Sequence, residues 1–159
     1  MLKKIMSGGQ TGVDRAALDA AIAAGLAHGG WCPKGRLSED GMVPSYYLLD
    51  ETPRSGYLQR TAWNVRDSDG TLIIARRGLS GGSRYTRECA LYAARPVMIV
   101  QPEDRDVSSA IYGWIVRHGL ATLNVAGPRA SSDPDIYAEA RSIVEAFIGC
   151  DRRNTPEGF

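Results

Sequence analysis

The chain has 159 residues, 43% of them hydrophobic and 23% charged, which suits one domain with its own core. A net charge of +1 excludes a strong basic field for recruiting nucleic acid or an anionic membrane. Three widely spaced cysteines, Cys32, Cys89 and Cys150, exclude a disulfide framework and a Cys-x-x-Cys zinc site.

Residues 3–7 read as a first strand. Residues 14–24 read as an alanine-rich first helix stopped by Gly25. Residues 30–33 read as a short second strand, and 34–53 as a long, poorly periodic loop. Ser55 is a candidate cap for a second helix over 57–66, where Tyr57, Leu58, Thr61, Ala62 and Val65 have helical spacing. Residues 70–75 are nearly continuous in apolar side chains, as buried parallel strands are. A third helix is expected over 86–94, a fourth strand over 96–101, a fourth helix over 108–118 and a fifth strand over 122–126. Asp133-Pro134 reads as the cap and first turn of a fifth helix. That helix buries Ile136, Ala140, Ile143, Val144, Phe147 and Ile148.

Strands alternating with helices predict an α/β fold: a Rossmann-like, three-layer, doubly wound sheet of about five mainly parallel strands. The expected organisation is one domain over 1–150 and a flexible tail over 151–159. Ligands in such folds bind beyond the carboxyl ends of the strands, where the strand order reverses. If the first and third strands are neighbours, the loops that follow them meet there. The two N-terminal lysines are not followed by a long apolar stretch. No apolar run approaches the ~20 residues that span a membrane. The expectation is a reduced, cytoplasmic protein without a structural metal.

Both of those loops are rich in glycine. Ser7-Gly8-Gly9-Gln10-Thr11-Gly12-Val13-Asp14 links the first strand to the first helix. It matches neither a P-loop nor Gly-x-Gly-x-x-Gly. Glycines there either make a tight turn or let a ligand approach the backbone N–H groups at a helix N-terminus. Gly78-Leu79-Ser80-Gly81-Gly82-Ser83 repeats the arrangement before the third helix, with Ser83 or Thr86 able to cap the helix or bond a phosphate. Two such loops favour a site for a phosphorylated small molecule.

Glu88 falls in the expected first turn of the third helix, where negative charge is favourable in any case. Lys34 and Arg36 add positive charge after the second strand. Cys32 reads as a small buried residue rather than a metal ligand. Arg60 and Asn64 share a helix face, which is solvated, braces the long loop or approaches the ligand.

Residues 7–19, 30–36, 57–64 and 68–72 together resemble the molybdenum carrier family, also described as a circularly permuted branch of the SLOG superfamily of Rossmann-like nucleotide-ligand proteins. The resemblance runs from about residue 2 to 148. It implies a Rossmann-like fold, a homo-oligomer (dimer or tetramer), and molybdoenzymes among the partners. It also implies a site for molybdenum cofactor, a pterin phosphate, or for a nucleotide-like molecule. Carried over by position, that site comprises Gly8, Gly9, Gln10, Thr11 and Gly12, then Gly81, Gly82, Ser83 and Thr86, with Lys34 nearby. The superfamily also contains lysine-decarboxylase-like phosphoribohydrolases with the signature Pro-Gly-Gly-x-Gly-Thr-x-x-Glu. Gly81, Gly82 and Glu88 keep that register, whereas Ser80, Arg84 and Tyr85 depart from it.

Three functions follow in order of preference. The first is a non-catalytic carrier or sensor of a phosphate-bearing ligand. The alternative is a phosphoribohydrolase acting on nucleoside monophosphates, with Glu88 catalytic. The last is an interaction module presenting Tyr46, Tyr47, Trp63 and Trp114.

Overall fold

The computed structural model describes residues 1–154. In chain order the elements are β1 (Lys4–Met6), α1 (Val13–Ala23), β2 (Ala27–Gly29), β3 (Trp31–Cys32), β4 (Leu37–Ser38), β5 (Gly41–Met42) and β6 (Asp50–Glu51). Then come α2 (Tyr57–Arg66), β7 (Gly70–Ile74), α3 (Gly81–Tyr92), β8 (Val97–Val100), α4 (Val107–His118), β9 (Thr122–Ala126) and α5 (Ile136–Arg153).

The central sheet is fully parallel, in the order β2-β1-β9-β7-β8. Helices α1, α4 and α5 pack together on one face, and α2 and α3 on the other. Alternation along the strands makes the two faces different. Ile5, Leu72, Ile74, Leu123 and Val125 join the main core with α1, α4 and α5. The opposite positions include Thr71 and Asn124, both buried, with the Asn124 amide 3.4 Å from Thr71 Oγ1. The α2–α3 side of the sheet is therefore the polar side.

The strand order differs from an arrangement in which the first and third strands are neighbours. β9 lies between them and pairs with both β1 and β7. Helix α5 leaves β9 toward one face, whereas α3 leaves β7 toward the other. The reversal that opens a crevice thus falls between β9 and β7.

Several elements begin elsewhere than their sequence suggests. The second strand of the sheet is residues 27–29. Gly30 then turns the chain at φ +133°, and Trp31–Cys32 pairs with Asp50–Glu51 in a separate ribbon. The stretch 34–53 is not structureless, because β4 and β5 form a small hairpin within it. Its scaffold is Arg36, whose guanidinium donates to the carbonyls of Val43, Pro44, Tyr47 and Leu49 at 2.8–3.1 Å.

Helix α2 is capped by Gly56 rather than Ser55. Helix α3 starts at Gly81, so Gly81 and Gly82 form its first turn and Thr86 donates to the Gly82 carbonyl instead of capping. Helix α5 starts after Asp135, and the Asp133 carboxylate accepts from Arg76 Nε at 2.9 Å instead of capping. The expected tail begins too early: α5 runs to Arg153, and buried Asp151 accepts the Leu2 N–H at 3.1 Å. Residues 155–159 of that tail lie outside the described residues. Among the described residues no helix is long and apolar enough to cross a membrane.

Candidate functional site

A cleft of about 750 Å³ opens where β9 and β7 end. One wall is Arg76–Ser80 with the first turn of α3, and a second is the loop after β9, including Gly127, Pro128, Arg129 and Asp133. Helix α2 adds Tyr57, Leu58, Arg60 and Thr61, and Gln10 comes from the loop after β1. The wall residues mix apolar side chains with four arginines: Arg60, Arg76, Arg77 and Arg129.

The two glycine loops meet this cleft very differently. At Gly78, Gly81 and Gly82 an added Cβ would find nothing within 4 Å. The N–H groups of Gly81, Gly82 and Ser83 have no protein acceptor among the described residues, as first-turn donors lack one within their own helix. Ser80, the N-cap, makes no side-chain cap bond. The end of α3 therefore presents free donors and the positive end of a 12-residue helix to the cleft.

In the first loop the protein itself occupies the space that the glycines leave. A Cβ on Gly8 would overlap the Arg60 guanidinium, and one on Gly12 would overlap the Pro128 carbonyl. Gly9 adopts φ +76°, and its Cβ would lie 2.7 Å from Leu49. The Val13 N–H, first in α1, donates to Pro128 O at 3.2 Å. Of the first-loop candidates, only Gln10 lines the cleft. Its side-chain oxygen accepts from the Thr11 and Glu39 N–H groups at 3.1 and 2.9 Å, leaving its amide nitrogen as the donor available to a ligand.

The β4–β5 hairpin clamps this first loop. Arg15 donates to Gly9 O at 3.1 Å and grips Asp40 with two nitrogens at 2.6 and 2.8 Å. Those hydrogen bonds, with one from Ser38, hold the Asp40 carboxyl down at about 2. The Glu39 carboxylate accepts from the hydroxyls of Thr11 and Ser131 and from the Ser131 N–H. Those bonds lower its pKa. Thr11 Oγ1 also accepts the Ala130 N–H at 3.1 Å. Together these contacts tie the loops after β1 and β9 to one hairpin.

Beneath the first loop lies an ion pair. Arg60 Nη1 is 3.1 Å from Asp14 Oδ2, which also accepts the Gln10 N–H at 3.2 Å. Burial pushes the Asp14 carboxyl up, while Arg60 and the Gln10 N–H pull it down. Arg60 Nε is buried without a partner.

The other candidates separate. Ser83 lines the cleft; Thr86 is buried just below it, beside a small recess. Lys34 is exposed and does not line the cleft. Glu88 is in the second turn of α3, more than half exposed and 3.4 Å from Arg84, and it too lies off the cleft wall. Arg36 is the scaffold of its loop. Cys32 is buried among Leu18, Val43, Tyr47 and Leu49, and that burial raises its pKa. Tyr47 is likewise core, with its hydroxyl donating to Asp19 at 2.7 Å. Among the described residues, no group of three or more His, Cys, Asp or Glu side chains is arranged to hold a metal ion.

Sequence reasoning missed Arg76, Arg77 and the Gly127-Pro128-Arg129 turn. The available signal was positional: each directly follows an apolar strand of the sheet. Arg76 is balanced by Asp133, Glu103 and Glu139, so its charge is already answered by the protein.

The chain covers 92% of its length in common with the crystal structure of the "Putative molybdenum carrier protein" from Syntrophus aciditrophicus SB, and 95% of that chain. The two are 47% identical, with a TM-score of 0.89. No curated protein matches it. Residues 5–148 match the family described as the circularly permutated YpsA SLOG family. With that match spanning nearly the whole Rossmann-like domain, the chain belongs to the circularly permuted YpsA SLOG family.

Proposed function

We propose that this chain is a non-catalytic carrier or sensor that holds a phosphate-bearing small molecule in the cleft between β9 and β7. The observation that carries the reading is the open N-terminus of α3. Three free N–H donors and a helix dipole face a cleft bordered by Arg77 and Arg129. A phosphate needs donors and positive charge together; here no side chain caps the donors, and of the two arginines Arg129 already lies 3.6 Å from Glu39, so Arg77 supplies the uncompensated charge among the described residues.

The rest of the cleft suits a flat ring. Tyr57, Leu58, Leu79 and Pro128 give apolar surface, and Gln10 gives a directional amide. A pterin phosphate, the organic part of molybdenum cofactor, and a nucleotide both have this anatomy. The name of the Syntrophus relative, a molybdenum carrier, supports the pterin branch. The exposed position of Glu88 gives the hydrolase reading no support.

Native mass spectrometry of freshly purified protein, followed by denaturation and identification of what is released, tests the proposal. The expected result is a pterin phosphate or a nucleotide at one per chain. Protein that releases nothing, and binds neither class when each is added back, would overturn it.

A further inference from the structure

Arg60 is the cleft arginine that is both largely, though not fully, buried and incompletely bonded. Its side chain is only 14% exposed, and it lines the cleft from helix α2. Asp14 engages one end of the guanidinium, through Nη1. The other edge, Nε and Nη2, has no protein acceptor among the described residues, and Nε is shielded from solvent. That edge is the fork with which arginine binds phosphate or carboxylate through two parallel hydrogen bonds.

The surroundings hold this fork in place. Gly8 has no side chain where the guanidinium lies, and any Cβ there would overlap it. The Tyr57 ring lies 5.5 Å from the guanidinium carbon. Below it is a recess of about 10 Å³ bordered by Asp14, Thr61, Asn64, Thr86 and Asn124, room for about one water-sized group. From these observations we infer that Arg60 grips the ligand's anion through its Nε–Nη2 edge, and that Asp14 is the residue that positions it.

The inference rests on the phosphate-ligand reading and assigns the grip to a particular pair. A phosphate held at the α3 N-terminus is reached by Arg60 from the α2 wall. One phosphate oxygen, or one water bonded to it, occupies the recess. Asp14 fixes the guanidinium in the plane that presents the fork and balances its charge in the unliganded protein.

The test is a ratio. Affinities of the full-length chain for guanosine 5′-monophosphate and for guanosine are measured by calorimetry, and likewise for a pterin phosphate ester and its free pterin. The gain from the phosphate is the quantity read. Removing a charge-assisted fork is expected to cut that gain roughly 10- to 100-fold in Arg60→Gln. Arg60→Lys keeps the charge but not the fork, and recovers only part of the gain. Asp14→Asn lowers the gain toward the Arg60→Gln value.

A partly unfolded variant weakens both members of a pair equally, so misfolding leaves the ratio unchanged. If Arg60→Gln keeps the wild-type gain, Arg60 does not grip the anion, although the cleft still binds phosphate. If Arg60→Gln loses it but Asp14→Asn keeps it, Asp14 is not the positioning residue. If the wild-type protein shows no gain with either pair, the phosphate-ligand reading and the Arg60 assignment both fail.

Discussion

The loop after β1 and the loop after β7 look alike in sequence and do opposite things. Both are glycine-rich, both follow a parallel strand, and both open a helix. The first is a knot. Arg60, Leu49 and Pro128 approach where its glycines lack side chains, and a backbone carbonyl meets the first N–H of its helix. The second is empty at Gly78, Gly81 and Gly82, and its helix donors are free. A glycine records that something comes close to the backbone; the surrounding fold decides whether that is the protein or a ligand.

The contrast is sharpest in stability. Asp14→Asn, beneath the first loop, removes the buried carboxylate and leaves the largely buried Arg60 charge without its partner. A loss of about 3–5 kcal/mol is expected, read from the denaturant midpoint. A loss under about 1 kcal/mol would mean that the pair behaves as a surface one. Gly12→Ala forces a side chain into φ +79° and against the Pro128 carbonyl. Strain and overpacking together predict about 2–4 kcal/mol. An unchanged midpoint would show that the loops after β1 and β9 can separate freely, and the knot description would fail.

The clamp over the first loop gives a smaller, pH-dependent effect. Asp40 is held at about 2 in the folded protein, against 3.8 ordinarily. Its contribution is therefore complete above the ordinary value and is lost as pH falls from about 4 toward 2. Asp40 is 48% exposed, so solvent screening keeps it to about 1 kcal/mol or less. Comparing the pH dependence of wild type and Asp40→Asn isolates it: the difference should shrink across that window. A constant difference would assign the effect to some other group.

The smallest expected stability effect is at the second loop. Gly82→Ala adds a methyl to open space, and the midpoint should move by about 0.5 kcal/mol or less. Ligand affinity should nevertheless fall, because the methyl enters the cleft. A large destabilisation would place protein atoms where none are seen and erase the contrast between the loops.

Much of this layout was legible in the sequence. Four of the five sheet strands and all five helices follow from apolar periodicity and glycine stops, as does the buried stripe of α5, whereas β2 over 27–29 does not. The position of β9 was not, because a buried parallel strand carries no mark of its neighbours. The error mattered: with β9 in the middle, the loop after β9 becomes a cleft wall and the first glycine loop moves off the crevice. The β4–β5 hairpin escaped notice for a different reason. Its strands are two residues each, and side chains of Arg15 and Arg36 hold it rather than a long ladder. The free turn of α3 was half legible. Its glycines stand out, but low helix propensity places them in a loop by sequence, whereas they form the first turn of the helix.

The position of β9 also bears on how the molecule assembles. The strand in the middle of the sheet is nearly the last to leave the ribosome. Before Thr122 is made, β1–β2 and β7–β8 are two separate strand pairs, each with an open edge that only β9 can fill. Until β9 arrives, neither pair can complete the sheet, and the contacts that close it span more than a hundred residues for β1. Such long-range closure slows folding and leaves unpaired edges exposed meanwhile. The chain thus leaves the centre of its sheet open until its last strand is made, and a nascent chain halted before β9 has an incomplete core.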